Sequence, residues 1–141
     1  MRIIIINGPN LNKLGKRRED HYGSLTLEDI KNKIEQEYPN DNFTFYQSNI
    51  EGELVSQIQN SENNYDGLLI NPGGYTHTSV AIKDALEIIK IPKIEVHLSN
   101  LSGREDYRQQ LITTSACNGY ISGFKEFGYL AAVYLLKTMQ Q

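Results

Sequence analysis

The chain has 141 residues, 39% hydrophobic and 22% charged, with a formal net charge of −3. That length fits one domain over residues 1–141 with a sound core, and the mildly acidic balance lacks the basic footprint of a general nucleic-acid binder. A single cysteine, Cys117, excludes an internal disulfide and fits a reducing cytoplasm, while no apolar run approaches the roughly 20 residues that span a bilayer.

The first predicted element is a strand over residues 2–7, whose four consecutive isoleucines suit a sheet buried on both faces. It runs into NGPNLNKLGKRREDHYG, residues 7–23, where Gly8, Pro9, Gly15 and Gly23 punctuate a polar loop. A long polar loop anchored on a buried strand is a usual seat for catalytic groups. Thr26 and the acids Glu28 and Asp29 start a helix with Leu27, Ile30 and Ile34 on its apolar face. A second strand follows at residues 43–47, then a helix at 51–62 offering Leu54 and Ile58. Residues 67–71 form a third strand, continued by PGGYTHT. The next helix, 79–89, is capped by Thr78 and Ser79 and offers Val80, Leu86 and Ile89 to the core. The fourth strand, KIEVHL at 93–98, is followed by Ser99-Asn100 and a short helical segment over 104–109. A fifth strand at 120–122 and a closing helix at 127–138 complete the chain. In that helix Leu130, Val133, Tyr134 and Lys137 mark the face, and Tyr129 reads as a packing residue.

Strands alternating with helices imply a parallel sheet covered on both faces, with ligands bound beyond the carboxyl ends of the strands. That rule gathers the loop after the first strand, Asn71 with its glycines, and Glu95 with His97 at one edge. Walker A, GxGxxG and CxxC motifs are absent, and the three histidines have no metal-ligand spacing. A lone strand-end histidine is usually satisfied by backbone. Glu95 alters that reading, because residues two apart on a strand share a face and a carboxylate orients an imidazole for proton donation. Tyr22 is a packing residue or, with a cation beside it, a base, since a nearby cation favours phenolate. Arg17 and Arg108 are candidates for that cation, but spacing does not choose between Arg17 and Arg18, and solvated loop charges are an equal reading of both. A flavin carrier would want a Ser/Thr-rich loop after the first strand, and a receiver domain aspartates at the strand ends; Asn stands there instead.

NGPNLNKLG, the following R…YG, NPGGYTHTSVAIKDAL, IEVHLSN and GREDYR together resemble the type II 3-dehydroquinate dehydratases, in order over essentially the whole chain. The resemblance implies a flavodoxin-like three-layer α/β fold with a five-stranded parallel sheet, no cofactor, no metal and a dodecamer built as four trimers. It implies elimination of water from 3-dehydroquinate, with Tyr22 as base, Arg17 holding its phenolate, Asn10 positioning a water for the enolate, and His97 as acid oriented by Glu95. Asn71 and the backbone amides of Leu98 and Ser99 would take the substrate carboxylate, and His77 and Arg108 the ring hydroxyls. Asp84 would reach in from a neighbouring subunit, and Gly73 and Gly74 would let the backbone approach closely. Three places depart from the family pattern. Arg18-Glu19 stands where an acid and proline are usual, Ser102-Gly103 where His-Ala is usual, and Leu111 replaces a serine.

Overall fold

The computed structural model describes residues 1–140. Its sheet has five parallel strands: β1 (Arg2–Asn7), β2 (Asn42–Gln47), β3 (Gly67–Asn71), β4 (Lys93–His97) and β5 (Gly119–Ser122). Their order across the sheet is β2-β1-β3-β4-β5, the flavodoxin-like arrangement, with β1 and β3 in the middle. The central strands explain the unbroken apolar runs. Ile3, Ile4, Ile5, Ile6, Leu68, Leu69 and Ile70 are all fully buried, each contributing about 2 kcal/mol of apolar burial.

Helices cover both faces. One face carries α2 (Leu27–Glu37) and α5 (Phe127–Met139), packed on Ile3, Ile5, Leu69, Ile94 and Val96. The other carries α3 (Glu51–Ser61) and α4 (Val80–Ile88), packed on Ile4, Ile6, Leu68 and Ile70. The expected caps form. Thr26 and Asp29 make a reciprocal capping box at the start of α2, and the Ser79 hydroxyl accepts from the Ile82 N–H at 2.9 Å. A single turn, α1 (Glu19–Tyr22), sits in the loop after β1.

Two helix faces differ from the sequence reading. Val80 is 57% exposed, while the expected Leu86 and Ile89 are buried together with Ile82 and Ala85. In α5 the buried residues are Gly128, Tyr129, Ala132, Val133 and Leu136, leaving Tyr134 61% exposed. Both helices carry apolar residues around most of their circumference, so periodicity alone does not select the inward face. The 104–109 segment holds only one 3-10 turn, Asp106–Arg108, and a separate turn, Leu101–Gly103, precedes it. Among the described residues no helix is long and apolar enough to cross a membrane.

Candidate active site

At the carboxyl edge the two faces of the sheet contribute different chemistry. Asn7 and Asn71 lie opposite each other in the β1–β3 register and continue the face covered by α2 and α5. In β4, Ile94 and Val96 take that same face, so Glu95 and His97 fall on the other. The expected pairing follows: Glu95 Oε1 is 2.6 Å from His97 Nε2.

Glu95 is fully buried, and a buried carboxylate is costly unless its lone pairs are satisfied. Two hydroxyls do so, Thr76 donating to Oε1 at 2.8 Å and Thr113 to Oε2 at 2.7 Å. Each hydroxyl has one proton to give. The His97 contact therefore needs its hydrogen on Nε2, which leaves Nδ1 as the ring nitrogen available to the pocket.

Arg17, Tyr22, Asn71, Gly73, His77, His97, Leu98, Ser99 and Arg108 line one small cavity open to solvent, together with Leu11, Leu101 and Arg104. The Arg17 guanidinium lies 3.7 Å from the centroid of the Tyr22 ring, and that of Arg104 lies 5.3 Å away. Arg18 turns outward to pair with Asp20 at 2.6 Å, so the two arginines that spacing could not separate have different surroundings.

Three guanidiniums thus face one small space. The Arg104 side chain is only 6% exposed and donates from Nη1 to Ser99 Oγ at 2.9 Å, while its Nε stands 3.4 Å from Glu105 Oε2, an ion pair without good hydrogen-bond geometry. Glu105 lies against both Arg104 and Arg108; its own backbone N–H, and then the two cations, hold its carboxyl down to about 2. Three guanidiniums with one shared carboxylate leave an excess of positive charge that suits an anion.

His77 Nδ1 is 2.8 Å from the Gln110 carbonyl, which can only accept, so Nδ1 carries the hydrogen and Nε2 is free to accept. Burial, and secondarily Arg108, push its pKa below the ordinary imidazole value, against the pull of that carbonyl. The unfolded chain then binds more protons than the folded one just below the ordinary value of about 6.5, so stability rises with pH through that window and falls in acid. Replacing His77 by Asn should shrink the gap in Tm between pH 5 and pH 8, as measured by thermal unfolding.

Not every expected residue lines the cavity. Asn10 is exposed with φ 67°, its N–H bonded to Asn49 Oδ1 at 3.0 Å. Asp84 is exposed on α4, and Glu95 lies behind His97. The close approach expected of both glycines holds for Gly73 alone. At φ 62° its Cβ would stand 3.0 Å from the Pro9 carbonyl oxygen, whereas a Cβ on Gly74 would meet open space. Gly8 is the stronger constraint, since a Cβ there would lie 2.4 Å from the Pro72 oxygen. Arg104, Thr76 and Thr113 were not assigned from the sequence. Arg104 stands within the GREDYR motif, but only burial separates it from a solvated charge. Among the described residues no three His, Cys, Asp or Glu side chains converge as a metal site would need.

The family model described as dehydroquinase class II matches residues 1–137. The chain belongs to the class II dehydroquinase family. It is 49% identical over 144 residues to a 3-dehydroquinate dehydratase of Fusobacterium nucleatum, with 97% of each chain covered. A 3-dehydroquinate dehydratase of Caldanaerobacter subterraneus is 43% identical, covering 99% of this chain and 95% of that one. The crystal structure of a type II dehydroquinase from Butyrivibrio crossotus aligns with a TM-score of 0.94 at 45% identity, over 97% of both chains.

Against the dehydroquinase pattern described above, the departures fall around the pocket rather than in it. Arg18 precedes α1 and bonds Asp20, and Glu19, also exposed, opens that turn. Ser102 is exposed and donates to Asn100 Oδ1 at 2.7 Å. Leu111 lines a neighbouring groove.

Proposed function

We propose that the chain removes water from 3-dehydroquinate to give 3-dehydroshikimate, without a cofactor. The observation that carries this reading is the Arg17–Tyr22 stack facing the same cavity as the Glu95–His97 pair. Tyr22, as phenolate, takes the C2 proton, and the bonding pair moves toward the C3 carbonyl to give an enolate. A water positioned by Asn10 stabilises the enolate oxygen, where charge develops. The enolate then collapses to the C1–C2 double bond as the C1–O bond breaks, and the leaving hydroxyl takes a proton from His97, an imidazolium held by Glu95. Proton transfer from Tyr22 back to His97 restores the starting state.

The substrate is an anion, in keeping with the cationic cavity. Asn71 and the backbone amides of Leu98 and Ser99 hold its carboxylate, while His77 Nε2 and Arg108 bond the ring hydroxyls. Mixing 3-dehydroquinate with purified, chelator-treated protein should raise the ultraviolet absorbance of the conjugated enone, and borohydride should not trap a Schiff base. A flat trace from folded protein would remove this function.

Loss of the cation against Tyr22 should matter far more than loss of its neighbour. Arg17→Ala should lower kcat by about a hundredfold, on the scale of removing one preorganised charge-stabilising group. Arg18→Ala should change kcat by less than about threefold, as for an exposed pair of little energetic consequence. Steady-state kinetics on the two proteins would compare them directly.

The same reading makes the protein a cytoplasmic homododecamer of four trimers, binding neither nucleic acid nor membrane. It serves aromatic biosynthesis, with quinate breakdown the alternative role. Support for assembly comes from α4, where exposed Val80 and Ile88 flank exposed Asp84 at one-turn spacing. Asp84 then completes a neighbour's pocket. Asp84→Ala should raise KM several-fold, on the scale of one hydrogen bond to a polar substrate, while light scattering still reports the parental mass. Equal KM in mutant and parent would count against a shared site.

A further inference from the structure

Asn71 is held by a directional chain of hydrogen bonds that begins at cavity-lining Gly73 and ends at Asn7 on the neighbouring strand. The Gly73 N–H donates to Asn71 Oδ1 at 3.1 Å, which fixes the side-chain oxygen on that side. Asn71 Nδ2 therefore points the other way and donates to the Tyr129 hydroxyl at 3.0 Å. Tyr129 passes its single proton on to Asn7 Oδ1 at 2.5 Å. The three side chains are almost entirely withdrawn from water, at 3%, 0% and 4% exposure for Asn71, Tyr129 and Asn7. Burial raises the Tyr129 pKa well above that of an ordinary phenol, so its hydroxyl keeps its proton.

A tyrosine needed only for packing could be a phenylalanine here. This one places its oxygen between the ends of β1 and β3, reached from the first turn of α5. One Nδ2 proton of Asn71 is committed to Tyr129, and the second stays uncommitted on a residue that lines the cavity.

We propose that Tyr129 is a positioning residue for this site, its hydroxyl setting the rotamer and amide orientation with which Asn71 meets the substrate carboxylate. This rests on the reading that the cavity binds 3-dehydroquinate through Asn71. Without the hydroxyl, Asn71 Nδ2 and Asn7 Oδ1 lose their shared partner, and only the Gly73 N–H still holds the Asn71 amide. Substrate binding suffers, while Tyr22 and His97, with which the Tyr129 hydroxyl shares no hydrogen bond, keep their geometry.

The test is a double-mutant cycle on the full chain, following enone absorbance for the parent, Tyr129→Phe, Asn71→Ala and the double variant. Tyr129→Phe should raise KM about tenfold with kcat within about threefold of the parent, the size expected when a buried group loses its partner. In the Asn71→Ala background the same change should move KM by less than about twofold, because its effect has no remaining route. The same KM factor in both backgrounds, or a parental KM in Tyr129→Phe, would overturn the assignment and leave Tyr129 a packing residue. Should Tyr129→Phe fail to fold, Asn7→Ala removes the far end of the chain with the ring intact. It should raise KM about threefold in the parent but not beside Asn71→Ala, and a parental KM would overturn the proposal. A folded parent with no turnover would instead refute the proposed function, and this inference with it.

Discussion

Tyr22→Phe should lower kcat by about a thousandfold or more, while KM stays within a few-fold of the parent. General-base removal is worth about 10²–10⁴ in rate. Phenylalanine is the informative replacement because it keeps the ring on which Arg17 rests at 3.7 Å and Arg104 at 5.3 Å. The aromatic–cation contacts, and hence the seat of α1, survive in the variant. Only the hydroxyl is lost. The groups assigned to binding, Asn71, His77 and Arg108, come from other elements and need no contact with it. The effect should also be non-additive with Arg17. If Arg17 acts by holding the phenolate, Arg17→Ala should cost little more once the phenol is gone. A Tyr22→Phe protein with a near-parental rate would exclude Tyr22 as the base, and losses that simply multiply would give Arg17 a role of its own.

What was legible in the sequence and what was not divide along physical lines. Strands read well because β1 and β3 are buried on both faces, which forces continuous apolar runs whatever the neighbours. The Glu95–His97 pair read well because the two-residue repeat of a strand is rigid. Helix faces read less well. In FGYLAAVYLLKTM nearly every position is apolar, and the packing of α5 on β4 and β3, not its composition, turns Tyr129 inward and Tyr134 outward.

The candidate site divides in the same way. Residues within one motif, such as Asn71 and Gly73, could be placed together from their spacing, and the structure brings them to one cavity. The partners that satisfy the buried groups come from distant segments. Thr113 reaches Glu95 across 18 positions, and Tyr129 reaches Asn71 and Asn7 across 58 and 122. Nothing in local pattern encodes such a pairing, because it is created by the sheet order and by a helix returning over it. Arg104 illustrates the remaining kind of miss. Its type and spacing match a solvated charge, and only its 6% exposure and its contacts with Ser99 and the Tyr22 ring mark it as part of the pocket.

Removing the proposed acid should be nearly as damaging as removing the base, and the Glu95–His97 pair allows chemistry to be separated from architecture. His97→Asn should lower kcat by about a thousandfold, since the departing C1 hydroxyl would leave without its proton. Glu95→Gln should lower it less, by about a hundredfold, because the imidazole remains but loses the carboxylate that orients and charges it. The stability effects should run the other way. His97 lines the cavity, so its loss is partly filled by water, whereas Glu95 has no exposure and anchors Thr76, Thr113 and His97 together. A glutamine there turns one acceptor into a donor facing hydroxyls whose protons already point inward, a mismatch of about 1–3 kcal/mol. Thermal unfolding should therefore rank Glu95→Gln below His97→Asn in Tm, while kcat ranks them in the reverse order. Were Glu95 present only to stabilise the fold, the folded fraction of Glu95→Gln would turn over at the parental rate, and that result would detach it from the proton transfer.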